Sequence, residues 1–273
     1  MKYNCKKRYP VNINTIFKYF PKINIKDCYE IIKCNICLNF NKNIAQKYLL
    51  EEKNIKVSKL EIVKIYKKIR EILYDYYNVL YETETFAIEN KNEFFATDES
   101  EFTHLNGDQI WVLNLVNTTT KDFRLVVTKN RNTATLQKFI CKYIPPGNNI
   151  VTDGWNGYNF LNDLGYTRYM HNHSRGDFGR GRQSTSHAES LWSQLKNGIK
   201  STYKTIQNKD FLYFLKEQEF KIKNKNLNTE AKMQEFFDCF NLVEMIGKDN
   251  IPDSEFLNNN YFNSNSGNEN DSD

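Results

Sequence analysis

Three carboxylates stand where they could act together. Asp98 closes the segment "EFFATD", Asp153 closes "NNIVTD", and Glu189 lies in the first turn of a helical stretch that begins near His187. Hard divalent cations need several carboxylate oxygens converging on one point. Two such ions, about 3.5–4 Å apart, can activate an attacking oxygen and stabilise a leaving one in phosphodiester chemistry. Each acid also has a plain structural reading. Asp98 and Asp153 fit strand-end turns, a common place for Asp. Glu189 could close a capping box with Ser186 (Ser-His-Ala-Glu), or do that and bind a metal as well.

The elements around the acids decide whether they can meet. "EFFATDES" reads as a strand that Asp98 ends, "QIWVLNLVN" as a buried strand, and "FRLVVT" as its hairpin partner across Thr118–Asp122. "TATLQKFICKYI" is a helix stopped by Pro145-Pro146-Gly147. "NNIVTD" is a fourth strand, "WNGYNFLNDLG" a short helix ending at Gly165, and "YTRYMHN" a fifth strand. A Gly/Arg loop, "HSRGDFGRGRQSTS", then leads into a helix from about His187 to Tyr203. Thirty-five residues separate Asp153 from Glu189, room for a helix, a strand and a loop. Three antiparallel strands followed by strands alternating with helices predict an α/β (α+β) fold, a mixed five-stranded sheet with flanking helices.

Upstream, residues 25–80 read as three helices with short joints. Ser58 and Glu61 form a capping box at the start of the third, and Leu60, Val63, Tyr66, Ile69, Leu73 and Tyr76 recur behind it at helical spacing. The pattern fits a helix-turn-helix on DNA or a plain helical bundle. Helical stretches also cover Asp210–Lys223 and Thr229–Leu242. The expected organisation is a basic segment over 1–24, a helical domain over 25–85, an α/β domain over 90–224, a C-terminal helix over 225–250 and an acidic Asn/Ser-rich disordered tail over 251–273.

Composition sets the broad class. The chain has 273 residues, 40% hydrophobic and 14% aromatic, enough for a core of one or two domains. No run approaches the ~18 uncharged apolar residues of a membrane helix, and no secretory signal is visible. Six irregularly spaced cysteines read as reduced thiols. Cys34-x-x-Cys37 has half the spacing of a zinc site, but no second pair follows it, so buried structural thiols are expected there. The net charge of +5 conceals five acids and no Lys or Arg over 251–273, which leaves +10 for the first 250 residues, a balance suited to a polyanion. A soluble intracellular protein is expected.

The text around the acids points further. "TDES" at 97–100, "WVLNLVN" at 111–117, "YIPPGNNIVTDGWNGYNFLNDLGY" at 143–166, "HNHS" at 171–174 and "STSHAESLWSQLK" at 184–196 occur in this order and spacing. From about Phe94 to Lys223 the chain resembles the transposases of Merlin-type DNA transposons and their bacterial insertion-sequence relatives, which share the ISXO-like DDE transposase domain. "CKKRYPVNINTIF" resembles the end of that family's zinc ribbon. Only Cys5 precedes the helical region, so the ribbon's cysteine pairs are missing and zinc is not expected in this chain.

The resemblance implies an RNase H-like catalytic core with Asp98, Asp153 and Glu189 holding two Mg²⁺ (or Mn²⁺) ions. It implies DNA as partner, both transposon ends and target, a homo-oligomer on that DNA, and action in the nucleus. Lys196, seven residues after Glu189 and so on nearly the same helix face, is implied as a DNA contact. Arg175, Arg180 and Arg182 beside Glu189 fit phosphate contacts rather than solvated loop charges. His173 and His187 are expected just behind the metal ligands. His187 and Glu189 lie about 200° apart on a helix, so both cannot face the same ions. An inward Glu189 brings Trp192 and Lys196 with it, while an inward His187 would bring Ser190, Leu191 and Gln194. "HNH" at 171–173 is no nuclease signature, since that motif's residues are not contiguous, and "GDFGRG" lacks the glycine order of a dinucleotide loop. The second reading is a non-catalytic DNA-binding protein derived from such an element.

Overall fold

A computed structural model describes residues 15–86, 88, 92–105, 108–171, 179–202 and 210–252. In chain order the elements are α1 (Ile25–Ile36), α2 (Lys42–Lys53), α3 (Lys59–Thr83), β1 (Phe94–Leu105), β2 (Asp108–Asn117), β3 (Phe123–Thr128) and α4 (Thr133–Tyr143). They continue with β4 (Asn149–Thr152), α5 (Phe160–Asp163), β5 (Thr167–Met170), α6 (Ser186–Thr202), α7 (Phe211–Lys223) and α8 (Thr229–Ile246). Two compact units result, one from Met1–Tyr77 with Asn224–Ile251 and one centred on Asn78–Lys223. Among the described residues no helix is long and apolar enough to cross a membrane.

The first unit is helical, and its helix starts follow from short polar side chains. Asn24 caps α1 through Lys26 N–H, and Asn41 caps α2 through Asn43 and Ile44. At α3 the capping box closes as expected: Glu61 Oε2 accepts from Ser58 N–H at 2.9 Å, and Ser58 Oγ accepts from Glu61 N–H at 3.2 Å. The buried stripe of α3 runs through Ile62, Ile65, Tyr66, Ile69, Ile72 and Leu73, while Leu60 faces solvent. The stripe is thus offset from the expected one at its start, with Ile62 rather than Leu60 buried in the first turns. Cys28 and Cys34 are buried, and burial pushes each thiol up to about 12. The Cys37 thiol donates to Thr229 C=O at 3.7 Å.

The second unit is the mixed sheet with its helices. Strand order is β3-β2-β1-β4-β5, with β2 antiparallel to both neighbours and β1, β4 and β5 parallel. Every residue of β3 and β4 is buried, the polar Arg124, Thr128, Asn149 and Thr152 included. The β2–β3 turn is held by Asn117 Oδ1, which accepts from Thr119 and Thr120 N–H. β1 runs seven residues beyond the expected end at Asp98, because its antiparallel pairing with β2 outlasts its parallel pairing with β4, which stops at Ala96↔Val151.

Candidate active site

The parallel register aligns two of the acids. Ala96 pairs with Val151, and two residues further along each strand stand Asp98 and Asp153. Beneath them Ala96, Val151 and Ala188 form a small buried cluster. The two alanines let α6 approach the sheet closely in its first turn, which carries Glu189. Sequence alternation then sends Asp98 to the α6 face and Glu99 to the other.

Asp98 is held from two sides. Its Oδ1 accepts from Glu99 N–H and its Oδ2 from the Trp192 indole N–H, both at 2.9 Å. Burial, then the charges of Glu99 and Asp153, push its carboxyl up to about 6, against the pull of the Trp192 bond. Asp153 Oδ1 accepts from Trp155 N–H at 2.9 Å. The strand end that carries it is clamped by Arg168, which donates to Thr152 Oγ1, Asp153 C=O, Trp155 C=O and Asn159 Oδ1 at 2.7–3.0 Å.

Glu189 is half-buried in α6, its carboxylate accepting from Thr185 Oγ1 at 3.3 Å. The expected Ser186 capping box is not what forms. Ser186 is the first helical residue, and Thr185 just before it provides the hydroxyl. Trp192 is buried on the sheet side as expected. Lys196 is exposed on the same side, its ammonium 5.4 Å from the Phe102 ring, which itself packs on Trp192. His187 turns away from the acids, Nε2 lying 3.0 Å from Gly181 C=O and Nδ1 3.2 Å from Lys121 Nζ. Arg180 and Arg182 are exposed. Next to them, Gly179 at φ +69° packs on the His171 ring, where a Cβ would come within 2.7 Å. His173 and Arg175 lie outside the described residues.

On the opposite sheet face, Glu99 Oε1 accepts from Arg131 at 2.9 Å and Oε2 from Tyr158 O–H at 2.6 Å. The Arg131 guanidinium lies between the Trp111 and Trp155 rings, 4.3 and 4.7 Å from their centroids. Sequence reasoning passed over Glu99, Arg131, Arg168 and Asn114. Only strand alternation could have flagged Glu99, as the partner of Asp98 on the other face.

The donor chemistry suits a hard divalent cation at the two aspartates. Both are oxygen donors, and burial, with the charges of Glu99 and then Asp153, raises the cost of ionising Asp98, a cost that a cation would relieve. Among the described residues no three His, Cys, Asp or Glu side chains converge closely enough to form a complete metal site. Glu189 enters only through the helix that Trp192 ties to Asp98.

A mixed sheet of this strand order, with one acid on the central strand, a second just past the end of its parallel neighbour and a third on a helix docked beside them, is of the RNase H-like class. Residues 88–223 match the family model for the ISXO2-like transposase domain, and over this stretch the chain is an ISXO-like DDE transposase domain. Similar solved structures include the HTLV-2 integrase catalytic core domain in complex with magnesium, trimeric form (10% identity, 55% of this chain and 84% of that one, TM-score 0.30). The catalytic core domain of BIV integrase is 16% identical over 53% of this chain and 95% of that one, with TM-score 0.35. The simian T-cell lymphotropic virus intasome in complex with PP2A regulatory subunit B56 gamma is 10% identical over 76% and 66%, with TM-score 0.30. No curated protein matches the chain.

Proposed function

We propose that the chain is a metal-dependent DDE transposase that cuts phosphodiester bonds at transposon ends and joins the freed 3′ hydroxyl to target DNA. The observation that carries this reading is the register that sets Asp98 on β1 and Asp153 just past β4 each two residues beyond the Ala96–Val151 pair, inside a transposase-family domain, with α6 bonded directly to Asp98. Asp98 and Asp153 would hold Mg²⁺ or Mn²⁺, with Glu189 completing the set. When bound, such ions supply water activation and neutralise charge on the leaving oxygen. Trp192 orients the Asp98 carboxylate, and Arg168 fixes the backbone that carries Asp153. Lys196, Arg180 and Arg182 face solvent near this edge and would hold phosphates, as would Arg175. Two ends must be brought together for joining, so the working form would be a homo-oligomer on DNA.

The test is cleavage of duplex DNA carrying the sequences that flank the gene, with a plasmid as target. Asp98→Asn and Asp153→Asn should abolish Mg²⁺-dependent cutting while DNA affinity stays similar or rises, because a negative charge near phosphate is lost. Unchanged cutting in either variant sinks the assigned chemistry. A wild-type protein that binds DNA but never cuts it would favour the non-catalytic derivative.

A further inference from the structure

One buried polar group spans the two elements that carry the first and third acids. Asn114 lies mid-strand in β2, fully buried, in the run Ile110-Trp-Val-Leu-Asn-Leu-Val116. Its neighbours on the same sheet face are Val112 and Val116, both buried. An apolar residue would pack there without the cost of desolvating an amide. Both ends of the amide are used instead. Oδ1 accepts from the Asp98 backbone N–H at 3.0 Å, and Nδ2 donates to Ala188 C=O at 3.2 Å. The Ala188 carbonyl belongs to the peptide group whose nitrogen is that of Glu189. The Asn114 backbone carbonyl is also occupied, accepting from Thr97 Oγ1 at 2.7 Å.

We infer that Asn114 is a positioning residue that sets the separation between Asp98 on β1 and Glu189 on α6. The Trp192–Asp98 bond is a second strut one turn along α6, but it acts on the carboxylate itself. Asn114 acts on backbone, so it fixes where both acids start rather than where one of them points. A planar amide with one acceptor and one donor is the side chain that can take an N–H from the sheet and give one to a helix carbonyl. The inference rests on the proposed role of the three acids.

Asn114→Leu keeps the branched heavy-atom outline and removes both bonds. Leu115→Ala, equally buried on the opposite face of β2, is the control for lost stability alone. With full-length protein, Mn²⁺ binding is followed by calorimetry without DNA. Backbone exchange at Asp98 and across 186–190 is followed by deuterium uptake, and DNA affinity is measured separately. Asn114→Leu should weaken Mn²⁺ binding by roughly tenfold or more, as loss of an outer-shell partner does. It should also speed exchange at both backbone sites and leave DNA affinity unchanged. Leu115→Ala should cost more stability and leave Mn²⁺ affinity as in wild type. Asn114→Thr, which favours strands and can keep only one bond, should move the same readouts the same way if the Leu variant folds poorly. Unchanged Mn²⁺ affinity and exchange in the Asn114 variants, or an equal shift in Leu115→Ala, overturns the inference alone. A wild-type chain that neither binds Mn²⁺ nor cuts DNA overturns the proposed function and this inference together.

Discussion

The strongest stability test lies away from the acids, in α7. Lys216 and Glu219 are both buried, with side chains 6% and 0% exposed and paired at 2.8 Å. Lys216 Nζ also donates to Leu125 C=O at 2.9 Å and sits 4.3 Å from the Tyr81 ring centroid, while the Tyr81 hydroxyl donates to Glu219. Burial pushes Lys216 down and Glu219 up, so each charge is tolerable only because of the other. Lys216→Met strands the Glu219 carboxylate and leaves the Leu125 carbonyl short of a donor. Breaking such a buried pair costs about 3–5 kcal/mol, and we expect about 4 kcal/mol near pH 8. For a domain of this size that lowers Tm by ~10 °C. The pH dependence has a definite sign. The folded-state pKa of Glu219 stands above its unfolded value, so the penalty is absent below the unfolded value and grows as pH rises through the folded one. The loss should therefore be clearly smaller at pH 5 than at pH 8. Lys216→Met combined with Glu219→Gln should recover much of it at pH 8, since a neutral amide can stay buried. Denaturant melts of the single and double variants at both pH values decide the matter. An equal loss at pH 5 and 8, or a double variant no more stable than Lys216→Met, refutes the reasoning.

Under matched Mg²⁺, Glu189→Gln should cost far more cleavage than His187→Ala, because His187 is engaged with Gly181 and Lys121 on the far side of α6; the reverse ranking would move the third ligand to His187. DNA binding should weaken steeply as salt rises, by counterion release from the Lys and Arg contacts, and a salt-insensitive affinity would speak against a phosphate-tracking surface. In the helical unit, burial pushes Asp75 up to about 6 against the pull of Lys248 and Lys68. Ionising it therefore opposes folding above that pH and not below about pH 4, the ordinary carboxylate range. Asp75→Asn should stabilise the protein by about 1 kcal/mol at pH 7.5, discounted for partial exposure, and by nearly nothing at pH 4; a gain at both would point to packing instead.

Much of the fold is legible because it rests on local rules. Alternation and apolar runs mark β2, β3 and β4, Pro145-Pro146 stops α4, and Ser58 with Glu61 starts α3. The misses come from tertiary choices. Leu60 has the right spacing for a core residue, yet it is exposed and Ile62 is buried, since spacing alone does not say which of two adjacent helical faces meets a neighbour. β1 outruns Asp98 because β2 supplies a longer partner than β4 does. In α7, the charges of "LKEQEFK" are buried, Lys216 and Glu219 with partners from distant elements such as Tyr81 and Leu125, and Glu217 and Lys221 with each other one turn apart.

The surroundings of the acids divide along the same line. Sequence marks Asp98 and Asp153 because each closes a run of apolar residues, and the parallel register of β1 and β4 then brings them level. Glu189 cannot be placed that way. Helical periodicity says which side chains share its face, but not how far that face stands from the sheet. Here the distance is set by Ala96 and Ala188, small enough for close approach, and by two polar bonds, Asn114 to Ala188 and Trp192 to Asp98. Neither bonding residue carries a charge, and the motifs that contain them do not say what they bond. Of the two amides in "WVLNLVN", Asn114 stands mid-strand among apolar residues, and it becomes interpretable only when the strand beside it holds an acid and the helix above it holds another. The two aspartates are placed by sheet register, whereas the glutamate depends on a few buried contacts. Variation in those contacts is therefore the easiest route by which this site could be retuned without touching an acid.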